Sequence, residues 1–358
     1  MPAVLIAGRE ARPRRILLTA DAVGGVWTWA MELARGLALH DMAVTLAVLG
    51  PAPAAAQRSE ATRIPGLDLR VTELPLDWTT DSPDDVVQAG HALAALARRS
   101  GVDAALLHSA PLGAHGDWDV PVVIACHSCV ATWWRTVRGE APMPVAMRWR
   151  TAFAARGFAR ATRLVAPSAA FAQLTAAVYA LPAPPTVVHN GRAMPTPALS
   201  RAIAQWLDRV AARLDAPVIA AGPLVAPHGE RVQCSALHTP GALAPQAIAQ
   251  QLARRPVFVS TARYEPFGLA VLEAAQAGCA LVLADIPTFR ELWDDAATFV
   301  PPGDDAALEQ AIRSLLDDRV RRAMAGARAI ARARRYTVTA MVQGTLAALA
   351  PAAMERAA

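Results

Sequence analysis

Short apolar runs rich in β-branched residues alternate along the chain with longer stretches of helical periodicity, the pattern of βαβ units and parallel sheets. In the first half, strands are predicted at Arg15–Ala20, Ala43–Leu49, Leu69–Leu74, Ala104–His108 and Val120–Ala125. Helices are predicted over Trp27–Leu39, Asp84–Arg99 and Val145–Ala159, so this half reads as one doubly wound domain. From Leu164 to His189 no residue is acidic, lysine or arginine, a length that could in principle span a bilayer. Four prolines (Pro167, Pro182, Pro184, Pro185) instead divide it into a strand at Arg163–Pro167, a short helix capped by Ser168 and a strand at Thr186–His189. Proline density at Pro182–Pro185 and Met194–Pro197, with the Asn190-Gly191 turn between, marks a linker.

Beyond the linker the alternation restarts. Strands are predicted at Pro217–Ala221, Pro256–Ser260, Ala280–Ala284 and Thr298–Val300, with helices over Ile203–Leu214, Gly268–Ala277 and Asp304–Leu316. This is a second Rossmann-like domain, smaller than the first, and a last helix follows at Val338–Leu349. The Ala/Arg-rich stretch Ala323–Arg335 reads as low complexity, and no solenoid-type repeat is present.

The 358 residues suit about two domains, and 54% hydrophobic with 18% charged residues is a globular composition. All 35 basic residues are arginine. The absence of lysine excludes Schiff-base, pyridoxal-phosphate and Walker-type phosphate chemistry, each of which needs an ε-amino group. A net charge of +5 favours acidic ligands such as phosphates without requiring nucleic acid. Four cysteines do not make a disulfide framework, and the apolar run Val4–Gly8 has its arginines on the wrong side for a signal peptide, so a cytoplasmic location is expected.

Three motifs carry chemistry. Asp21-Ala-Val-Gly24-Gly25 is a strand-to-helix turn where backbone amides approach a ligand, although the Gly-x-Gly spacing of a dinucleotide fingerprint is missing and a plain tight turn is equally compatible. Cys126-His127-Ser128-Cys129 ends an apolar strand and so places His127 where open α/β sheets bind ligands. Neither Cys234 nor Cys279 has a partner to complete a zinc site with this pair, and a backbone-satisfied buried histidine is the plainer alternative. The third motif is Arg263-Tyr-Glu265-Pro-Phe267-Gly268-Leu269-Ala-Val-Leu-Glu273. Its two carboxylates can bracket a ligand at a helix N-terminus and accept hydrogen bonds from hydroxyls; alternatively Glu265 caps the helix and Glu273 is solvated.

The segment from Glu265 to Glu273, continued by Ala-Ala-Gln-Ala-Gly-Cys-Ala-Leu-Val-Leu-Ala-Asp285, resembles the Glu-x7-Glu segment of retaining glycosyltransferases of family 4, which have the GT-B fold. Pro301-Pro302-Gly303-Asp304, Val165-Ala-Pro-Ser168, Asn190-Gly191, Gly24-Gly25 and the strand ending in His127 are similar to that family in the same order. The resemblance implies two facing Rossmann-like domains with a nucleotide-sugar donor between them. The expected boundaries are residues 1–190, joined by the helix within 336–358, for the N-terminal acceptor-side domain, and 191–335 for the nucleotide-sugar-binding domain. It further implies that Glu273 holds the ribose hydroxyls, that Glu265, Phe267, Gly268 and Leu269 contact the donor sugar and diphosphate, and that His127 contacts the sugar from the other side. Gly24 and Gly25 would face the diphosphate or the acceptor. Transfer with retention and no metal or other cofactor are implied too.

The chain departs from the family pattern at one place. The family follows its linker with a strand and an Arg-x4-Lys loop that neutralises the diphosphate. Here about a dozen residues separate Gly191 from the next helix, too few for both. Arg192 and Arg201 are the candidate remnants, and Thr186–His189 or Met194–Leu199 would have to replace the missing strand. An active glycosyltransferase, a catalytically impaired homologue or partner subunit that binds nucleotide sugar, and an unrelated GT-B epimerase therefore remain as alternatives. Trp133, Trp134 and Trp149 with Arg135, Arg138, Arg148, Arg150, Arg156, Arg160 and Arg163 face only Glu140 in charge. They read either as a solvated helix face, with Arg156, Arg160 and Arg163 on one side, or as a contact for an acidic or membrane-associated acceptor, peripheral at the inner membrane surface. A homo-oligomer is compatible with all of these readings.

Overall fold

The computed structural model describes residues 13–193, 201–222, 233–241, 243 and 245–350, without the side chains of 201–205 and 245. The elements of the N-terminal half are β1 Arg15–Asp21, α1 Gly25–Ala38, β2 Ala43–Leu49, α2 Ala55–Ala61, β3 Leu67–Val71, α3 Pro83–Arg99, β4 Ala104–Leu107, β5 Val122–Ala125, α4 Val130–Arg138, α5 Val145–Arg160, β6 Arg163–Ala166, α6 Ala169–Tyr179 and β7 Thr186–Val187. The C-terminal half carries α7 Arg201–Ala211, β8 Ile219–Ala221, β9 His238–Gly241, α8 Pro245–Ala253, β10 Val257–Ser260, α9 Leu269–Gln276, β11 Ala280–Ala284, α10 Pro287–Trp293, β12 Ala297–Val300, α11 Asp305–Asp317, α12 Arg319–Ala333 and α13 Val338–Leu349.

In the N-terminal half, strands β1 to β7 form one parallel sheet in the order β3-β2-β1-β4-β5-β6-β7. Alternate β1 residues enter two cores: Ile16, Leu18 and Ala20 pack toward α1, whereas Leu17 lies with α3 and α5 residues on the other face. Both faces are covered by helices, which is why these strands read as continuous apolar runs. The reversal of strand order between β1 and β4 opens a crevice at their carboxyl ends. The long uncharged stretch after Arg163 breaks into β6, α6 and β7, and Ser168 Oγ accepts from Phe171 N as the α6 N-cap. Among the described residues no helix is long and apolar enough to cross a membrane.

Among the described residues, the strands of the C-terminal half form two separate sheets. Strands β10, β11 and β12 form a parallel three-stranded sheet, while β8 and β9 pair separately. Thr186–Val187 joins β6 in the N-terminal sheet, so it does not replace a strand of the second domain. Met194–Leu199, the other candidate, lies outside the described residues. The stretch Ala323–Arg335 is mostly ordered helix: α12 buries Gly326, Ala329 and Ala333, and Gly326 lies so close to the Gly278 carbonyl that a Cβ there would overlap it. Alternating small residues and arginines disguise a packed helix as low complexity.

Helix α13 returns to the N-terminal core, where Met341, Val342, Ala348 and Leu349 join the α1 cluster. Arg163, expected on the α5 face, instead begins β6; its Nη1 donates to the carbonyls of Ala347, Ala348 and Ala350 at 2.8–3.1 Å and so caps α13. The linker passes beside the start of α13: Gly191 N donates to Met341 Sδ at 3.3 Å, and a Cβ on Gly191 would overlap the backbone of Thr337 and Val338. Gly191→Val should therefore separate linker from helix at a cost of roughly 1–3 kcal/mol. A lowered urea midpoint at unchanged slope would report it.

Candidate functional site

The crevice at the carboxyl ends of the N-terminal strands meets the N-terminus of α9 across the two halves. On the first side, Asp21 ends β1, and its Oδ1 accepts from Val23 N at 2.9 Å and Gly24 N at 3.2 Å. This fixes the turn that leads into α1. Gly24 has φ −145°, outside the left-handed region, and nothing would lie within 4 Å of its Cβ, so the glycine here leaves room. A Cβ on Gly25 would stand 3.4 Å from Leu269 Cδ1, so the loop touches the first residue of α9.

His127 follows β5 and packs edge-on against Trp29 of α1 with ring centroids 4.3 Å apart. Burial, with His108 nearby, lowers its pKa to about 3, so the imidazole is neutral at physiological pH. His108, just past β4, is lowered to about 4 by the same desolvation. Thr19 Oγ1 accepts from His108 N at 2.9 Å and lies 2.8 Å from Nδ1.

On the second side, Gly268 sits at φ +88° before α9, and a Cβ there would press on Phe289 and Val271 at 3.1–3.2 Å. Only glycine suits both constraints. Glu265 Oε1 accepts from Gly268 N at 2.9 Å and Phe267 N at 3.4 Å, the capping arrangement. Burial raises its pKa, and these two amides partly offset the shift. The following amides, of Leu269, Ala270 and Val271, are those a helix's first turn leaves without an intrahelical acceptor. The Phe267 side chain faces away from this turn, stacking on Tyr336 at 5.6 Å and His189 at 6.3 Å within the core.

Glu273 is not solvated: it is 1% exposed, and its Oε1 accepts from Arg192 Nε at 2.8 Å. Arg192 Nη1 donates at 2.9 Å to Glu32 Oε1 of α1, and Gln276 Nε2 donates to the Arg192 carbonyl at 2.8 Å. One linker guanidinium thus ties the first helix to α9 through two buried carboxylates. The candidate remnant Arg192 is placed at the glutamate expected to hold ribose, and its charge is shared between two acids. The side chain of Arg201, the other candidate, lies outside the described residues.

Several residues that complete the site had no assigned role in the sequence. Glu32 is a lone acid among the buried Trp29, Met31 and Leu33, and that isolation on an apolar stripe was the available signal of a buried pair. Tyr264, next to Glu265, places its OH 3.0 Å from Ser128 Oγ and 2.9 Å from Thr132 Oγ1 across the crevice. Ser168 Oγ donates to the Pro266 carbonyl at 2.8 Å, and Glu291 of α10 accepts from Ala169 N and Ala170 N at the start of α6. Together these contacts hold the Glu265 turn against the N-terminal half. Nothing in single-sequence spacing marks such pairs, whose partners lie more than 90 residues apart.

Comparison with known proteins agrees with this construction. Residues 23–192 match the family model described as Glycosyltransferase Family 4, and residues 236–332 match Glycosyl transferases group 1. The chain belongs to the glycosyltransferases. No curated protein is a significant sequence match to this glycosyltransferase. Among solved structures, sucrose-phosphate synthase from Thermosynechococcus elongatus superposes with TM-score 0.74 at 15% identity, covering 94% of this chain and 98% of its own. Anabaena HepE in complex with UDP and glucose gives 0.65 at 18% identity, with 94% and 99% covered. Trehalose 6-phosphate synthase from Burkholderia multivorans gives 0.65 at 13%, with 94% and 98% covered. These likenesses establish the GT-B fold of two Rossmann-like domains.

The buried imidazole generates a pH prediction for this glycosyltransferase. His127 binds a proton near pH 6.5 when unfolded but only near 3 when folded, so the unfolded state holds more protons between these values and stability falls as pH drops from 6.5 toward 3. The loss is about 2 kcal/mol between pH 6.5 and 5. Urea unfolding at the two pH values should show His127→Gln losing correspondingly less than the parent; equal losses would mean the ring titrates normally.

Proposed function

We propose that this glycosyltransferase moves a sugar from a nucleotide-sugar donor to an acceptor with retention of anomeric configuration and without a metal. The observation that carries the reading is the construction of α9: Glu265 caps its start, Glu273 is buried in its second turn, and Leu269 in its first turn meets Gly25 of the opposite loop. The Glu273 carboxyl group, as an acceptor, suits the vicinal hydroxyls of a ribose. The amides of Leu269, Ala270 and Val271, at the positive end of the α9 dipole, suit the diphosphate. Glu265 and the neutral His127 would address the donor sugar from the two sides. The solved complexes of HepE with UDP and with UDP-glucose, which share this fold, support a nucleotide-sugar donor.

In this reading Arg192 is a positioning residue. It fixes the carboxylate that would receive the ribose, while Glu32 restrains the guanidinium from the other side. The helix N-terminus then carries most of the electrostatic work at the diphosphate. A second reading, a catalytically impaired homologue that binds nucleotide sugar or serves as a partner subunit, is favoured by the same observation, because a guanidinium held by two acids has less charge to offer a leaving diphosphate. Loss of one pre-aimed donor lowers turnover by about 10²–10³-fold.

Two measurements decide between them. Incubation with UDP-, GDP- and ADP-glucose carrying labelled sugar should release nucleoside diphosphate with one of the three; binding without hydrolysis or transfer would overturn the active reading. Glu273→Gln should weaken nucleotide binding by about 10-fold or more, the worth of hydrogen bonds to a charged group. Isothermal titration with the free nucleoside diphosphate checks this separately from turnover, and an unchanged affinity would remove Glu273 from the site.

A further inference from the structure

The arginine- and tryptophan-rich segment is not used by the donor site. Between Asp119 and Asp208 the chain has one acidic residue, Glu140, against nine arginines, so this stretch holds more positive charge than the +5 of the whole protein. The structure separates those arginines by task. Arg150 is buried, donating to the carbonyls of Asp77 and Thr80; Arg163 caps α13; Arg192 joins Glu32 and Glu273. Arg135, Arg138 and Arg148 remain exposed on α4 and the start of α5, with Arg135 in contact with the exposed Glu140, and Arg156 and Arg160 are exposed farther along α5.

The same hairpin presents apolar groups beside these charges. Val145, the first residue of α5, is 75% exposed, and Trp133 and Trp134 are partly exposed on α4. The Arg138 guanidinium lies 5.8 Å from the Trp133 ring and 6.0 Å from that of Trp134. Trp134 Nε1 donates to the Ala141 carbonyl at 2.6 Å, which braces the turn between the helices. Indole rings with arginines at their edges suit the boundary between lipid headgroups and acyl chains, where the ring is half-wet and the cation meets phosphate. The hairpin is rigidly tied to the site, because Ser128 and Thr132, at its start, hold Tyr264 next to Glu265.

We propose that the α4–α5 hairpin docks this protein on a bilayer rich in anionic lipid, through Trp133, Trp134 and Val145 as interfacial residues and Arg135, Arg138 and Arg148 as headgroup contacts. The surface so bound lies beside the crevice, which places the site at the lipid boundary. Docking stands independently of the transfer reading, since it needs neither donor nor turnover.

Co-sedimentation of the full chain with phosphatidylcholine vesicles, with and without about one third phosphatidylglycerol, tests it. Binding is expected only to the anionic vesicles and should weaken with salt. Arg135→Gln, Arg138→Gln and Arg148→Gln combined should weaken it on the order of a hundredfold, since each surface cation near an anionic leaflet contributes about fivefold. Trp133→Ser with Trp134→Ser should weaken it too and remove the blue shift of tryptophan emission on binding. The same number of charges removed from α12, as Arg319→Gln, Arg321→Gln and Arg328→Gln, controls for net charge. Equal binding to neutral vesicles, equal loss from the α12 variant, or capture by a soluble polyanion without partition onto vesicles would each overturn the proposal.

Discussion

The two halves of this glycosyltransferase are held in register by a chain of alternating charge that is buried at its inner end. It starts at the half-exposed Glu60, whose Oε1 lies 2.5 Å from Arg35, passes from Arg35 to Glu32 at 3.7 Å, and continues through Arg192 to Glu273 at 2.9 and 2.8 Å. Its inner members are almost fully buried, so breaking one link strands a charge in a medium that solvates it poorly, at about 3–5 kcal/mol. Such a network is a weak source of net stability but a strict source of geometry. The position of Glu273, and with it the register of α9 against α1, follows from that constraint.

The crossings between the halves serve the same end. The linker runs beside the start of α13, closer than any side chain on Gly191 would allow, while Arg163 fixes the far end of that helix. Across the crevice, Tyr264, Pro266 and Glu291 each reach polar groups at the carboxyl ends of the N-terminal strands. The Glu265 turn is thus anchored on both sides, and Gly268 allows the chain to enter α9 at an angle a side chain would forbid. The functional turn rests on contacts from elements that precede it by about a hundred residues.

That distance explains what single-sequence reading could see. The first domain was legible because its strands are buried on both faces: β2 at Ala43–Leu49 and α13 at Val338–Leu349 are the predicted segments themselves. Strand β3 lies two residues before its predicted start, since its half-exposed residues carry no clean apolar run to locate it. Strand β9, reading His-Thr-Pro-Gly, has no β-forming signature and is held by pairing with β8. The helix entry and glycine turn of the Glu265 to Glu273 motif were legible, because both are local features. Glu32 and Tyr264 act through tertiary contact, and no periodicity encodes that.

The absence of lysine acquires a physical meaning at Arg192. Bridging two carboxylates from separate helices requires two donors that diverge from a rigid plane, and here Nε serves Glu273 while Nη1 serves Glu32. A lysine ammonium is a single point on a flexible stem, more strongly hydrated and readily deprotonated when buried. It would satisfy either acid while leaving the geometry between them loose. Arginine is therefore the residue by which one short linker orders both halves at once. The same planar fork, which binds acids in pairs, leaves the charge of this one side chain shared between Glu273 and Glu32.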